Sequence, residues 1–225
     1  MDRTLALRLA VFDCDGTLVD SQHAIWAAVS EAFQSLALAP PQLEQSRRVI
    51  GLPLADALSA LAPPGAAIDH ARLTERYREA FFALRARPDF EEPLFPGVAQ
   101  ALAALEEAGC LLGIATGKSR RGLERTLERH GLLHHFMTLQ TSDIGPGKPH
   151  PHMLVRAIAE AGVEASACVM VGDTTFDVLM ARAAGAKAVG VGWGYHDVEE
   201  LAASGAHLIV RAAADLPAAV EALVP

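Results

Sequence analysis

Short apolar runs separated by helical patterns constrain the fold of this chain more than any other feature of its sequence. They cover residues 7–12, 111–115, 168–171, 187–191 and 207–210. Each is short and almost continuously apolar, as is typical of strands that are buried on both faces of a parallel sheet. Because helical segments lie between them, we predict an α/β fold with a doubly wound, Rossmann-like parallel sheet.

The stretch from residue 21 to residue 88 interrupts this alternation with helical patterns alone. Its apolar residues recur at helical spacing in two stripes, which are Ile25, Val29, Phe33 and Leu36, and Leu73, Tyr77, Phe81 and Leu84. Proline-rich turns such as Pro63-Pro64-Gly65 separate the helices. We therefore predict two domains: an α/β core of residues 1–16 and 92–225, and an all-helical insertion of residues 17–91.

Composition narrows the range of partners. The chain has 19 Lys and Arg against 27 Asp and Glu, which leaves a formal charge of −8. Nucleic-acid binding usually needs a basic face, so nucleic acid is not an expected partner. No apolar run reaches the roughly 18 residues of a membrane span, and three scattered cysteines offer no disulfide framework. We expect a cytoplasmic protein, a monomer or homodimer, that binds neither membranes nor nucleic acid.

Two carboxylates follow the first strand directly, in the segment Asp13-Cys14-Asp15-Gly16-Thr17. At the end of a buried strand these side chains lose solvation and repel each other. A divalent cation such as Mg²⁺ offsets that cost, because it prefers carboxylate oxygens and water as ligands. Gly16 lets the backbone turn sharply and approach a ligand. The segment therefore predicts a cation site, with a plain turn and a helix cap as the alternative.

Three later strand ends also carry polar residues. Thr116 and the amide of Gly117 precede a helix, and a helix N-terminus favours anions. Lys148 lies on a loop stiffened by the next proline, which makes it a fixed positive charge. Asp173 and Asp177 are one helical turn apart, so both can lie near a common ion. The alternatives are a capping threonine, a solvated lysine and a helix-capping aspartate.

Taken together, these motifs resemble the four motifs of the haloacid dehalogenase superfamily. They stand in this chain as Asp13 to Thr17, Thr116, Lys148, and Gly172-Asp173 through Asp177. The resemblance covers essentially the whole chain, with the helical insertion at the position of the type C1 cap. Phe95-Pro96-Gly97 and Gly147-Lys148-Pro149 are similar to segments of the phosphoglycolate phosphatase-like branch. The resemblance implies an Mg²⁺-dependent phosphatase that hydrolyses a small-molecule phosphate monoester, with phosphoglycolate as one candidate substrate.

The resemblance also implies a role for each motif residue. Asp13 would attack phosphorus and form an aspartyl-phosphate. Asp15 would protonate the leaving alkoxide and then deprotonate the hydrolytic water. Thr116, the amide of Gly117 and Lys148 would hold the phosphoryl oxygens. Superfamily members that displace halide lack the second aspartate, so Asp15 favours an oxygen leaving group.

The implied metal ligands are Asp13, the backbone carbonyl of Asp15, and Asp173, with Asp177 supporting the site through a water or by orienting the lysine. The residues predicted to bind the substrate also include Gly16, next to the metal ligands, and Arg47 and Arg48 on the cap. An arginine on a cap loop could bind a carboxylate, and two solvated arginines at a helix end are the alternative.

Two other functions stay open from the sequence. A phosphomutase of the same superfamily, similar to β-phosphoglucomutase, uses the same aspartates to move a phosphoryl group between sugar positions. A receiver-like signalling module also combines aspartates, threonine and lysine around Mg²⁺, but it has no helical insertion after the nucleophile. All three readings place a small phosphorylated compound or an aspartyl-phosphate at the ends of the strands.

Overall fold

A six-stranded parallel sheet forms the centre of the computed structural model, which describes residues 7–63 and 68–224. Its strands run in the order β3-β2-β1-β4-β5-β6. They are β1 (Arg8–Phe12), β2 (Cys110–Thr116), β3 (Thr138–Thr141), β4 (Cys168–Gly172), β5 (Lys187–Val191) and β6 (Leu208–Val210). The predicted α/β class with a doubly wound sheet is confirmed. The predicted turn at Pro63-Pro64-Gly65 lies partly outside the described residues.

Successive residues of the central strand point into two separate apolar layers, one on each face of the sheet. Ala10 and Phe12 lie in one layer, and Leu9 and Val11 lie in the other. The helices that pack around the sheet come after residue 97 in the chain. They are α5 (Val98–Glu107), α6 (Arg120–Arg129), α7 (His152–Ala161), α8 (Thr175–Ala183), α9 (Val198–Ala203) and α10 (Leu216–Leu223). Burial on both faces explains why the strands are apolar throughout.

Between β1 and α5, the part of the chain that the structure describes forms four helices. They are α1 (Gln22–Ser35), α2 (Leu43–Arg47), α3 (Leu54–Leu61) and α4 (His70–Arg85). They surround a small apolar core of their own, which includes Val29, Phe33, Leu58 and Leu73. Leu18 and Val19, by contrast, still pack in the core of the sheet. The division into residues 17–91 and the remainder stays a prediction.

The sheet topology brings the sequence motifs to one edge. β1 pairs with β2 on one side and β4 on the other, so the residues after these strands are neighbours. β3 was not among the predicted strands, and it pairs with β2 where Thr116 lies beside Thr141. Within residues 7–63 and 68–224, no helix combines the length and the apolar character needed to cross a membrane.

Candidate active site

Three buried carboxylates meet at the carboxyl ends of β1 and β4. Asp13 follows β1, Asp173 follows β4, and Asp177 lies in the first turn of α8. One carboxylate oxygen from each residue lies within 4.8 Å of one from each of the others. Asp177 also accepts a hydrogen bond from the backbone N–H of Thr174, 3.1 Å away, as part of a capping box that begins α8.

Lys148 is fully buried against this cluster. Its Nζ lies 2.8 Å from Oδ1 of Asp13 and 2.6 Å from Oδ1 of Asp177. Burial alone would lower the pKa of Lys148, but the two carboxylates raise that pKa above its usual range. The lysine is therefore a fixed positive charge, and its role toward phosphoryl oxygens stays a prediction.

Asp173 is held by donors on both oxygens. The Thr17 hydroxyl donates to Oδ1 at 2.8 Å, and the backbone N–H of Tyr195 donates to Oδ2 at 2.9 Å. Burial, followed by the repulsion of the neighbouring carboxylates, raises the pKa of Asp173 well above its usual range. Gly16 has a φ of 84°, and a Cβ there would lie 2.2 Å from Oδ2 of Asp173. Only glycine permits this close approach.

The two oxygens of Asp13 are in different situations. Oδ1 accepts a hydrogen bond of 2.6 Å from the backbone N–H of Cys14 and pairs with Lys148. Oδ2 is buried and has no hydrogen-bond partner among residues 7–63 and 68–224. Burial raises the pKa of Asp13, and the charge of Lys148 opposes that rise. One oxygen of a positioned carboxylate is thus free to bind a cation or to react.

The cluster fits a divalent cation. The three buried carboxylates have Lys148 beside two of them, Asp13 and Asp177, so the group has more acidic side chains than basic ones. A hard cation that takes oxygen ligands would offset that charge, and each of the three residues offers a carboxylate oxygen. The side chain of Asp15 does not belong to this cluster. The sequence assigned Asp15 to the metal through its backbone carbonyl, and that assignment stays a prediction.

The carboxylate of Asp15 points toward different partners. It accepts hydrogen bonds from the Ser21 hydroxyl and from Nζ of Lys118. Burial raises the pKa of Asp15, while the adjacent Lys118 opposes that rise. A carboxyl group whose pKa is raised by burial keeps its proton to higher pH than an exposed aspartate does, which favours a role in proton transfer.

Lys118 is a member of the site that the sequence did not single out. Its Nζ lies 3.1 Å from Oε1 of Glu92 as well as beside Asp15, so the two carboxylates share one lysine. Glu92 also pairs with Arg85 at 3.0 Å and accepts a hydrogen bond of 2.9 Å from Thr126. Burial alone would raise the pKa of Glu92, but the charges of Lys118 and Arg85 hold that pKa below its usual range.

The sequence contained no signal for this network. Glu92 lies in a proline-rich segment between α4 and α5, where a charged residue is ordinarily solvated, but its side chain is buried. Its partners come from α4, α6 and the turn after β2, which are far apart in the sequence. Only the folded chain brings them together.

A cavity of about 360 Å³ lies between the sheet edge and the inserted helices. Asp13, Asp15, Thr116 and Gly117 line its lower wall. The segment of the cap after α2 comes close to this wall, because a Cβ on Gly117 would lie 2.8 Å from the carbonyl oxygen of Leu52. Thr116 and Gly117 therefore face the same space as the two aspartates, whereas Lys148 is buried beside Asp13 and, like Gly16, does not line the cavity.

The structure corrects the expectation for Arg47 and Arg48, since neither lines the cavity. Both terminal nitrogens of Arg48 donate to the carboxylate of Glu200 on α9, at 2.5 Å each. Arg47 pairs with Glu44 at 3.3 Å and lies over the ring of Tyr195. The two side chains are directed to partners outside the cavity. The arginines that do line it are Arg78, Arg85, Arg121 and Arg125.

A buried lysine beside a cluster of three carboxylates, at the edge of a doubly wound sheet, is typical of hydrolases that act on phosphate groups. Comparison with known proteins gives the family. The model for haloacid dehalogenase-like hydrolases matches residues 10–191. The chain therefore belongs to this family.

Individual relatives agree with the family assignment. A protein of Dickeya dadantii named probable phosphatase IndB is 36% identical over 96% of this chain and 94% of its own length. A phosphoglycolate phosphatase of Agrobacterium fabrum is 32% identical, with the same coverage of the two chains. The crystal structure of a hydrolase from Pseudomonas syringae superposes with a TM-score of 0.82 at 26% identity, covering 97% of this chain and all of that one. The chain is a phosphatase of the phosphoglycolate phosphatase-like branch.

Proposed function

We propose that this phosphatase hydrolyses phosphate monoesters of small metabolites, with Mg²⁺, through an aspartyl-phosphate on Asp13. The observation that carries the proposal is the asymmetry of the Asp13 carboxylate. One oxygen is held by the Cys14 amide and Lys148, while the other has no partner in the described part of the chain. Asp13 also lines the cavity, so a phosphate group there would lie within reach of the free oxygen.

In the first step, an oxygen of Asp13 attacks phosphorus and the bond from phosphorus to the ester oxygen breaks. Asp15 gives its proton to that oxygen, so the product leaves as an alcohol. The raised pKa of Asp15 supports this role, because a protonated carboxyl group is needed before the bond breaks.

In the second step, water attacks the phosphorus of the aspartyl-phosphate. Asp15, now ionised, accepts the proton of that water, and the bond from phosphorus to the Asp13 oxygen breaks. Inorganic phosphate leaves, and both aspartates return to their starting states. The sum of the two steps is the hydrolysis of a monoester to an alcohol and phosphate.

Several residues would hold the phosphoryl oxygens during both steps. Lys148 supplies a charge that is already fixed in place by Asp13 and Asp177. Thr116 and the amide of Gly117 precede α6 and line the cavity. Donors held in position before the reaction stabilise charge as it develops, because they need no rearrangement.

Asp13 and Asp173 would hold the Mg²⁺, with Asp177 supporting the site. When bound, the cation supplies positive charge that offsets the carboxylates and the phosphate group. The choice of Mg²⁺ rests on the all-oxygen donor set, which is typical of magnesium sites that also bind phosphate.

The proposed ligand is a small phosphorylated metabolite, and neither a nucleic acid nor a membrane is a proposed partner. We place the protein in the cytoplasm, as a monomer or a homodimer. The formal charge of −8 supports the exclusion of polyanions. Phosphoglycolate is a candidate substrate because the Agrobacterium fabrum relative is named for it.

Rapid quenching tests the proposal. Wild-type protein, quenched in acid during turnover of p-nitrophenyl phosphate with Mg²⁺ and digested, is expected to yield a phosphorylated peptide that contains Asp13. Asp13→Asn is expected to lower kcat by at least about a thousandfold, because the nucleophile is lost. Asp56→Asn, an exposed site on α3, is the matched control. Full activity of Asp13→Asn would overturn the covalent mechanism.

A further inference from the structure

The wall that the inserted helices contribute to the cavity is mostly apolar. It is built from α1, α3, α4 and the segment between α2 and α3, through side chains that include Ile25, Val29, Val49, Ile50, Leu54 and Leu58. Tyr77 and Phe81 extend this wall with two rings that are stacked 5.7 Å apart. Asp13, Thr116 and Gly117 line the cavity from the core, so the leaving group of a phosphate bound there would face the apolar wall.

The cations of the insertion are not available to a buried anion. Arg85 is bound to Glu92 and Thr126. Arg78 pairs with Glu75, and its side chain is 63% exposed. Among residues 7–63 and 68–224, no cation that the insertion adds to the cavity is both buried and unpaired. A carboxylate on the leaving group, such as that of glycolate, would lose solvation there without gaining a cation. The neutral hydroxyl of Ser46, which is buried, lines the cavity and has no hydrogen-bond partner among the described residues, is a donor that the insertion offers.

The cations on the core side of the cavity are also either paired or exposed. Lys118 is shared between Asp15 and Glu92. Arg121 and Arg125 are exposed, and both lie over the ring of Phe82, at 5.8 and 5.6 Å. They can attract an anionic substrate toward the opening, but they do not provide a buried partner for its leaving group.

The size of the cavity also favours an apolar leaving group that is larger than glycolate. A volume of about 360 Å³ falls within the range of pockets that enclose drug-sized ligands, roughly 300 to 1,000 Å³. A two-carbon leaving group would leave much of this apolar space filled with water. Replacing water against apolar side chains with apolar atoms is favourable.

We infer that the natural substrate is a phosphate monoester of an apolar alcohol, aliphatic or aromatic, that is larger than glycolate. This inference rests on the proposed phosphatase function and names the substrate class of the same site. The apolar part of the alcohol lies against the wall formed by α1, α3 and α4, and the phosphate lies at Asp13.

A homologous series of substrates tests the inference. The n-alkyl phosphates from ethyl to octyl have leaving groups of nearly equal basicity, so they differ mainly in apolar surface. We expect kcat/KM to rise about fourfold for each added methylene, from about 0.8 kcal/mol per buried CH₂, until the cavity is filled. Phosphoglycolate is expected to be no better than ethyl phosphate.

The outcomes separate the two proposals. A flat series, or a preference for phosphoglycolate over hexyl phosphate, would overturn the inference and leave the phosphatase function intact. If no ester is hydrolysed, including p-nitrophenyl phosphate, the proposed function fails and the inference fails with it.

Substitutions on one helix connect the preference to the cavity. Ala57 lines the cavity, whereas Ala60, on the same helix α3, is exposed and does not. Ala57→Phe fills the space and is expected to reduce the hexyl-to-ethyl ratio of kcat/KM at least about tenfold, while Ala60→Phe keeps the ratio. Thermal melts of both variants report whether they fold. An unchanged ratio in folded Ala57→Phe would overturn the assignment of this wall.

A second variant reverses the polarity of the wall. Leu61→Arg places a cation at the end of α3, beside the cavity. If the leaving group faces this wall, kcat/KM for phosphoglycolate is expected to rise about tenfold relative to ethyl phosphate, from a new charge-assisted hydrogen bond. No change in that ratio in a folded Leu61→Arg variant would count against the assignment.

Discussion

Asp15 differs from Asp13 in its neighbours, although only one residue separates them. Asp13 is held by Lys148 among the other carboxylates, whereas Asp15 is held by Ser21 and Lys118. The proposed roles differ in the same way, because Asp13 forms a covalent bond and Asp15 moves a proton in both steps. A substitution at Asp15 should therefore separate the two steps.

Asp15→Asn is expected to slow turnover of alkyl phosphates by about a hundredfold or more, since general acid–base catalysis contributes about that much. With p-nitrophenyl phosphate the leaving group needs no proton, so the first step should continue while the second is slow. We therefore expect a burst of nitrophenolate that approaches one equivalent per enzyme, followed by slow turnover, in a stopped-flow experiment. A linear time course without a burst, at a rate equal to that of the wild type, would contradict the role of Asp15.

Lys118 acts through Asp15 and is expected to be a positioning residue. Lys118→Met leaves the buried carboxylates of Asp15 and Glu92 without their shared cation, and such a loss typically costs about 3–5 kcal/mol of folding free energy. We expect urea unfolding to report this loss. We also expect kcat for alkyl phosphates to fall more than kcat for p-nitrophenyl phosphate, with little change in KM.

Lys187→Met, on β5, is the matched control for this variant. It removes a lysine that has no ion pair among the described residues. A purely structural role for Lys118 would lower kcat for the two kinds of substrate equally. That result would be incompatible with positioning of the proton donor.

At the scale of elements, the inserted helices depend on a small core. Leu73 on α4 is fully buried against α1, with Val29 and Phe33 among its neighbours. Leu73→Ala is expected to lower the free energy of unfolding by about 2–5 kcal/mol, because a cavity replaces the side chain. Hydrogen exchange should show faster exchange in α1 and α4 than in the strands of the sheet.

Leu208→Ala provides the comparison, because Leu208 is an exposed residue on β6. Its effect should stay within about 0.5 kcal/mol. Equal destabilisation by the two substitutions would show that the core of the insertion contributes no more than a surface position does.

The elements that the sequence predicted are those with apolar patterns. β3 has no such pattern, since its residues Thr138, Gln140 and Thr141 are polar. They are nevertheless buried, and Glu160 on α7 accepts hydrogen bonds from the side chains of Thr138 and Gln140. Burial of a polar strand depends on partners from another element, which periodicity along the chain does not reveal.

The residues of the candidate site also divide into those that the sequence predicts and those that it does not. Asp13, Thr116 and Asp173 could be placed together from the sequence, because parallel strands have their carboxyl ends at one edge whatever the side chains are. Lys148 was singled out by its loop and by the resemblance to a family motif, since the strand before it, β3, was not predicted. The partners of Lys118 could not be predicted, because they come from segments that only folding brings together. The arginines of the cap were misplaced for the same reason, since the Glu200 partner of Arg48 lies about 150 residues away in the sequence.

For the whole molecule, the formal charge of −8 is not evenly distributed. Asp13, Asp173 and Asp177 concentrate negative charge at one buried place, where Lys148 offsets only part of it. Without a cation, this concentration opposes folding, because buried charges lose solvation and repel one another. We therefore expect the acidic cluster to lower the stability of the folded protein when no cation is bound.

We therefore predict that Mg²⁺ stabilises the folded protein. We also predict that one substitution can remove both the destabilising charge and the stabilisation by Mg²⁺. A cation that binds only the folded state at about a hundred times its Kd adds about 2.7 kcal/mol. For a chain of this size, that corresponds to a rise in Tm of roughly 5–10 °C. Asp173→Asn, which keeps the shape of the side chain but removes a charge, is expected to raise Tm in EDTA and to abolish the rise with Mg²⁺.

Differential scanning calorimetry of both proteins, in EDTA and with added Mg²⁺, measures these four values without any assay of activity. Asp56→Asn, which removes an exposed charge from α3, controls for the change in net charge. Asn can still accept from the N–H of Tyr195 and donate to the Thr17 hydroxyl, so the hydrogen bonds of Asp173 are preserved. A variant that is less stable than the wild type in EDTA, yet still stabilised by Mg²⁺, would show that Asp173 supports the fold rather than the cation.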